Sequence, residues 1–167
     1  FARVLLDTVA WVEVGPWCRD PASQELREQP IEEFARPRLQ RYHKRVRKAG
    51  RELRHLDPAA RHELRIEAKE LRYAAEFFAS AYEEGGRKRR AAYIGALKRF
   101  QDALGDLNDI AVARRSTAAL VRDSSARLAY AAGVLVGRRS RDEAALLDGA
   151  EAAYQAFRGG RPFWDKH

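Results

Sequence analysis

The stretch His62-Glu-Leu-Arg65-Ile-Glu-Ala-Lys69-Glu-Leu-Arg72-Tyr73-Ala-Ala-Glu-Phe77-Phe78 decides how this chain folds. Asp57-Pro58, just before it, joins an N-cap acceptor to proline at the first helical position, so a helix is predicted from there to about Tyr82. Gly85-Gly86 is its stop. At about 100° per residue, Leu64, Ala68, Leu71, Ala75, Phe78 and Tyr82 share one side, and Ile66, Tyr73 and Phe77 form a second apolar strip. Two strips predict two packing neighbours. His62, Arg65, Lys69 and Arg72, spaced 3, 4 and 3, fall together in one gap between the strips, and Glu63, Glu67 and Glu70 fall in the other.

An ordinary solvated face mixes charges of both signs at i to i+4 spacing, where each pair contributes a few tenths of a kcal/mol. Here the helix sorts them. Stacked cations repel one another unless an anion lies against them, so the basic stripe reads as half of a groove for a polyanion. The same pattern arises when a neighbouring helix supplies carboxylates to the stripe, and the sequence leaves both readings open.

The wider composition supports an anionic partner. The 167 residues carry 32 Lys and Arg against 24 Asp and Glu, a formal net charge of +8, and 46% of them are hydrophobic, which suits one folded domain. Nucleic acid, an acidic membrane surface and polyphosphate all fit that charge. Nine basic residues (Arg36, Arg38, Arg41, Lys44, Arg45, Arg47, Lys48, Arg51 and Arg54) lie together with one acid, Glu52, so this segment alone accounts for the excess. A single cysteine, Cys18, excludes an internal disulfide and fits a reducing compartment. Without an eighteen-residue apolar run or a signal peptide at Phe-Ala-Arg-Val-Leu-Leu, the chain reads as soluble and cytoplasmic. It lacks methionine and opens on a helix already under way, Arg3 to Val14, so it reads as part of a longer protein.

In order, that first helix ends at Gly15-Pro16, and Trp17 to Gln29 is a connector with room for one helical turn after Asp20-Pro21. A long helix is expected from Ile31 to Leu56, with Ala35, Leu39, Tyr42, Val46, Ala49, Leu53 and Leu56 as its seam and Pro37 marking its start or a bend. Arg38, Arg41, Arg45 and Lys48 repeat the spacing of the later stripe, which predicts that the two stripes face one groove. After Arg87-Lys88-Arg89-Arg90, a third helix buries Tyr93, Leu97, Phe100, Leu104, Leu107 and Ala111. Its other face gathers Lys98, Gln101, Asp102, Gly105, Asn108 and Asp109, whose amides and carboxylates are placed to hold basic side chains. Gly105 marks either a close approach or a break in the helix.

Beyond Arg122-Asp-Ser-Ser125, two shorter helices are expected over about Ser125 to Arg139 and Arg141 to Phe157. They carry Leu128, Ala132 and Leu135, then Ala145, Leu146, Ala150, Ala153 and Tyr154. Gly159-Gly160 closes the last helix, and Pro162-Phe163-Trp164 folds back as an apolar plug.

No segment alternates as a strand, so the predicted class is all-α, an antiparallel four-helix bundle with long helices over residues 31–167, preceded by a helix tail and connector over 1–30. There is no phosphate-binding glycine loop, nucleophile elbow or two-histidine zinc motif. His43, His55, His62 and His167 are not spaced for a shared metal. A histidine among arginines reads instead as a hydrogen-bond donor to an anion.

The stretch His62 to Phe78, followed by Leu97-Lys-Arg-Phe-Gln-Asp-Ala-Leu-Gly-Asp-Leu-Asn-Asp109-Ile-Ala-Val-Ala, closely resembles the second repeat of the CHAD domains, the conserved histidine α-helical domains. Gly15-Pro16-Trp17 and Pro162-Phe163-Trp164 look similar too, extending the resemblance over essentially the whole chain. It implies the second half of a pseudo-twofold pair of four-helix bundles, with only the last helix of the first half present. It also implies binding of inorganic polyphosphate through a basic surface, and a triphosphate-tunnel domain as companion in the same or a neighbouring chain. By motif match the ligand-binding side chains are His62, Arg65, Lys69 and Arg72, with Lys98. Arg41, Arg45 and Lys48 join them if the stripes share a groove, with Gln101, Asn108 and Asp109 in support.

The expected function is therefore noncatalytic polyphosphate binding, without cofactor or metal, in the cytoplasm or at polyphosphate granules. A nucleic-acid-binding module is the main competitor. Against it stand the lack of a helix-turn-helix pattern and of exposed aromatics in the motifs to stack single-stranded bases. A metal- or phosphate-processing protein centred on His62 is the third class.

Overall fold

The computed structural model describes residues 2–121, 126–141 and 143–165. Every regular element among them is helical: α1 (Ala2–Val14), α2 (Pro21–Glu28), α3 (Ile31–Ala49), α4 (Pro58–Phe77), α5 (Arg87–Val121), α6 (Ala126–Arg141) and α7 (Glu143–Gly159), with 3-10 turns over Pro16–Cys18, Gly50–His55 and Ala79–Gly85. The chain is all-α. None of the described helices is long and apolar enough to cross a membrane.

The predicted starts follow from their caps. Asp57 accepts from the Ala60 amide at 2.8 Å, with Pro58 in the first turn, and α4 begins there. Asp20 does the same for Ser23 at 2.9 Å, so the connector holds eight helical residues rather than one turn.

One face of each of α3, α4, α5 and α7 builds the core. Ala35, Leu39 and Val46 meet Leu64, Ala68, Leu71 and Ala75, then Tyr93, Leu97, Phe100, Leu104 and Leu107, then Ala150, Tyr154 and Phe157. Ile110 is buried where Ala111 was expected, and Ala111 is half-buried. Each such large apolar side chain contributes about 1.5–3 kcal/mol by leaving water. Phe163 and Trp164 fold back under the core as predicted, and Trp164 Nε1 donates to Gln40 Oε1 at 3.1 Å. At the centre, His43 is 3% exposed, its Nδ1 lies 2.8 Å from Tyr93 Oη, and the edges of Phe157 and Trp164 close around its ring. Burial among aromatics disfavours the imidazolium and lowers the His43 pKa to about 4.

Two helices end earlier than their periodicity predicts, both for tertiary reasons. The helix expected to reach Leu56 stops at Ala49 because the Tyr154 ring lies against Gly50, where any Cβ would collide with it. Tyr154 Oη then takes the Arg47 carbonyl at 2.7 Å, and Glu52 leaves helical geometry. The chain continues as a 3-10 turn that still buries Leu53. The helix expected to reach Tyr82 ends at Phe77, and a second 3-10 turn brings Tyr82 Oη to the Glu32 carbonyl at 2.7 Å. Gly86, at φ 84, supplies the left-handed conformation that ends this turn. Pro37 does not mark the start of α3, which begins at Ile31 and runs through it.

Helix α1 contributes nothing to that core. None of its residues is buried, and Val4, Leu6, Trp11 and Val14 are all more than half exposed. Its C-terminal end is tied to the following turn, where Trp17 Nε1 donates to the Trp11 carbonyl at 2.8 Å. On α6, Ala132 is half-buried, and the side chains of Leu128 and Leu135 lie outside the described residues, as do Arg122-Asp-Ser-Ser125 and His167.

Candidate functional site

Helix α4 sits between α3 and α5, and its two flanks are chemically different. On the α3 side, Arg45 donates through Nε and a terminal nitrogen to Glu67 Oε1 at 3.2 and 2.9 Å, and its other terminal nitrogen lies 3.9 Å from Glu70. This is the flank that carries the acids of α4. The expectation that Arg45 shares a groove with the motif stripe is therefore not met, because it is ion-paired on the opposite flank of α4, while Arg41 and Lys48 are exposed.

The basic stripe meets α5 instead. His62 Nδ1 lies 3.1 Å from Asn108 Oδ1, and Arg72 Nε donates to Gln101 Oε1 at 2.8 Å. Between these two pairs, Arg65 Nε lies against Gly105, close enough that an added Cβ would be 3.6 Å from it. The antiparallel register thus runs His62 with Asn108, Arg65 with Gly105, Arg72 with Gln101. Helix α5 continues unbroken through Gly105, so the glycine is not a break, and a Cβ there would stand in ordinary contact with Arg65. With a side chain at 105, the guanidinium would have less room in the seam.

The hydrogen-bond partners that α5 offers His62 and Arg72 are uncharged. Gln101 and Asn108 are neutral amides, so they orient the cations without cancelling them. One carboxylate intervenes: Glu76, one turn further along α4, accepts from a terminal nitrogen of Arg72 at 2.7 Å. Arg65 Nε is buried and, among the described residues, has no hydrogen-bond partner, which is costly for a charged donor. Arg36 and Arg89 hold a similarly buried Nε, but neither belongs to this stripe. With Nδ1 of His62 engaged by Asn108, Nε2 is the ring nitrogen that remains for a ligand. Lys69 and Lys98 are exposed, Lys98 on the face of α5 that carries Gln101. Asp109 is exposed beside Asn108, and among the described residues no hydrogen bond joins it to the stripe.

The outer surface of α4 departs from expectation. Ile66, Tyr73 and Phe77 were expected to meet a second packing neighbour, but α4 meets both of its neighbours on its flanks. Tyr73 is 50% and Phe77 77% exposed. Tyr73 lies beneath two cations, with Arg72 Cζ 4.5 Å and Lys69 Nζ 5.5 Å from its ring centre. Exposed aromatics therefore do stand beside the basic motif, and that objection to nucleic acid falls. The i, i+4 repeat of Tyr73 and Phe77 carried the signal, but the reading as a packing strip hid it.

Two ion-pair networks tie the frame together behind the seam. Arg61 and Arg114 converge on Glu143 at 3.7 and 2.7 Å, joining α4, α5 and α7, and Arg54 reaches both Asp148 and Glu151. Sequence reading did not find these long-range pairs, because no local spacing announces them.

The profile of the CHAD domain matches residues 1–119 of the chain. The chain belongs to the CHAD domain family. The matched stretch holds both strands of the seam, from His62 to Phe78 and from Leu97 to Ala113, whereas α7 and the Phe163-Trp164 plug of this CHAD domain lie beyond it. The likeness noted at Pro162-Phe163-Trp164 therefore stands outside the family match. No curated protein and no solved structure matches the chain.

Proposed function

We propose that the α4–α5 seam binds inorganic polyphosphate without catalysis. His62, Arg65, Lys69 and Arg72, with Lys98 across the seam, meet successive phosphate oxygens of a linear polyanion. Guanidinium forks and ammonium points suit that repeating oxyanion and have no need of base or sugar recognition. The carrying observation is Arg65, whose buried Nε lacks a partner among the described residues, in a stripe oriented by neutral amides. An anion in the seam supplies what the fold withholds. Membership of the CHAD family agrees with a polyphosphate-related role. On this reading the helices α3, α4, α5 and α7 form one four-helix half of a pseudo-twofold pair, and a triphosphate-tunnel domain is a natural companion.

Competition between long-chain polyphosphate and duplex or single-stranded DNA at fixed salt tests this proposal. Polyphosphate is expected to win, with log K falling linearly in log salt as condensed counterions are released. Equal or tighter DNA binding would favour a nucleic-acid module. Loss of polyphosphate binding in EDTA, restored by zinc, would favour a metal protein centred on His62.

A further inference from the structure

We infer that the outer face of α4 is a stacking platform for single-stranded nucleic acid, with Tyr73 and Phe77 taking bases and Lys69 and Arg72 taking the adjoining phosphates. The inference rests on the seam being an oxyanion site, and it adds a second ligand class to it. Three observations carry it. First, Tyr73 and Phe77 are solvent-exposed on a helix that is otherwise tightly packed on both flanks. Their exposure is not a by-product of a loose region, because Ala68, Leu71 and Ala75 on the opposite face of the same turns are fully buried.

Second, charge and ring are combined at one point. Arg72 and Lys69 both lie over Tyr73, so a phosphate held by either cation places its attached nucleoside within reach of the ring. Arg72 is itself fixed by Gln101 and Glu76. The carboxylates of Glu70 and Glu76 border the same face and limit how many phosphates it can hold.

Third, Tyr73 and Phe77 are four residues apart, so both rings stand on the same outward face of α4. A duplex hides its base faces, so the platform selects single strands. Polyphosphate has no bases, and the two rings therefore offer it nothing.

That difference supplies the test. Fluorescence anisotropy of an oligothymidylate, an abasic oligonucleotide of equal length and long-chain polyphosphate is measured against the wild-type protein, Tyr73→Leu and Phe77→Ala. Each substitution is expected to weaken oligothymidylate binding about tenfold, the scale of one lost base–aromatic stack. Abasic and polyphosphate affinities stay near wild-type values, and helicity by circular dichroism is unchanged. Wild-type-like oligothymidylate binding by both variants would overturn the platform, as would equal wild-type affinity for the abasic strand. A fall in sedimentation mass of the variants would also overturn it, by assigning the strip to a second copy of the chain. Failure of polyphosphate to bind at all would remove the proposed function and leave the stacking result standing on the oligothymidylate data alone.

Discussion

The two flanks of α4 start from the same raw material and end differently. Helices α3 and α4 carry basic stripes with identical 3, 4, 3 spacing. At the α3–α4 seam, Arg45 is paired with Glu67 and Glu70 of the facing helix, and at the α4–α5 seam the facing helix holds His62 and Arg72 through Asn108 and Gln101, while Glu76 of α4 itself pairs with Arg72. Spacing along one helix therefore does not distinguish a structural ion pair from a ligand stripe. The partner's charge does. Acids on the facing helix cancel the field, whereas amides fix side-chain geometry and leave the field for a ligand.

Making the second seam resemble the first gives the largest expected effect. Gln101→Glu with Asn108→Asp places carboxylates opposite Arg72 and His62, and polyphosphate affinity should fall about a thousandfold, as two charge-assisted bonds now compete with the ligand. Thermal melting should hold or rise. Unchanged affinity in isothermal titration would break the comparison.

The two histidines extend the contrast. His43 lies in the core with its pKa lowered to about 4, so the unfolded chain takes up the proton near pH 6.5 while the native protein resists it. Stability is present above that range and is lost as pH falls through it, by about 3 kcal/mol in all. Urea unfolding of wild type and His43→Gln at neutral and acid pH should show the variant losing less. His62, half-buried in the seam, is placed instead to meet the ligand, and His62→Ala should cost roughly 1–3 kcal/mol of polyphosphate binding in isothermal titration.

Gly105→Ala is the smallest change. The new methyl is in ordinary contact with Arg65 Nε, and alanine in place of glycine stabilises a helix by up to about 1 kcal/mol. Stability should rise while polyphosphate affinity falls slightly, because the methyl crowds the approach to Arg65. A melting temperature below that of wild type would show that the glycine has some other duty.

Local signals made most of this legible. The Asp57-Pro58 cap, the strip of Leu64, Ala68 and Leu71, the plug at Phe163-Trp164 and the amides at 101 and 108 all fell where periodicity or motif placed them. What was missed depends on residues far apart in sequence. Periodicity carries α3 on to Leu56, but the Tyr154 ring, more than a hundred residues later, ends it at Gly50. Arg45 pairs away from the motif stripe because helical phase says which residues share a face and not which helix that face meets. The strip of Ile66, Tyr73 and Phe77 reads as buried by composition alone, and only the placing of both neighbours on the flanks of α4 leaves Tyr73 and Phe77 outside, with Ile66 half-buried.

Titration of long-chain polyphosphate into Arg65→Glu and Arg45→Glu at one salt concentration tests the assignment of the two seams most directly. The two variants change net charge equally, so a diffuse electrostatic attraction predicts equal losses. Binding through the α4–α5 seam predicts no measurable heat for Arg65→Glu. It also predicts affinity within about fivefold of wild type for Arg45→Glu, which lies on the other flank of α4 against Glu67 and Glu70. Equal losses in both variants, or a greater loss in Arg45→Glu, would contradict it.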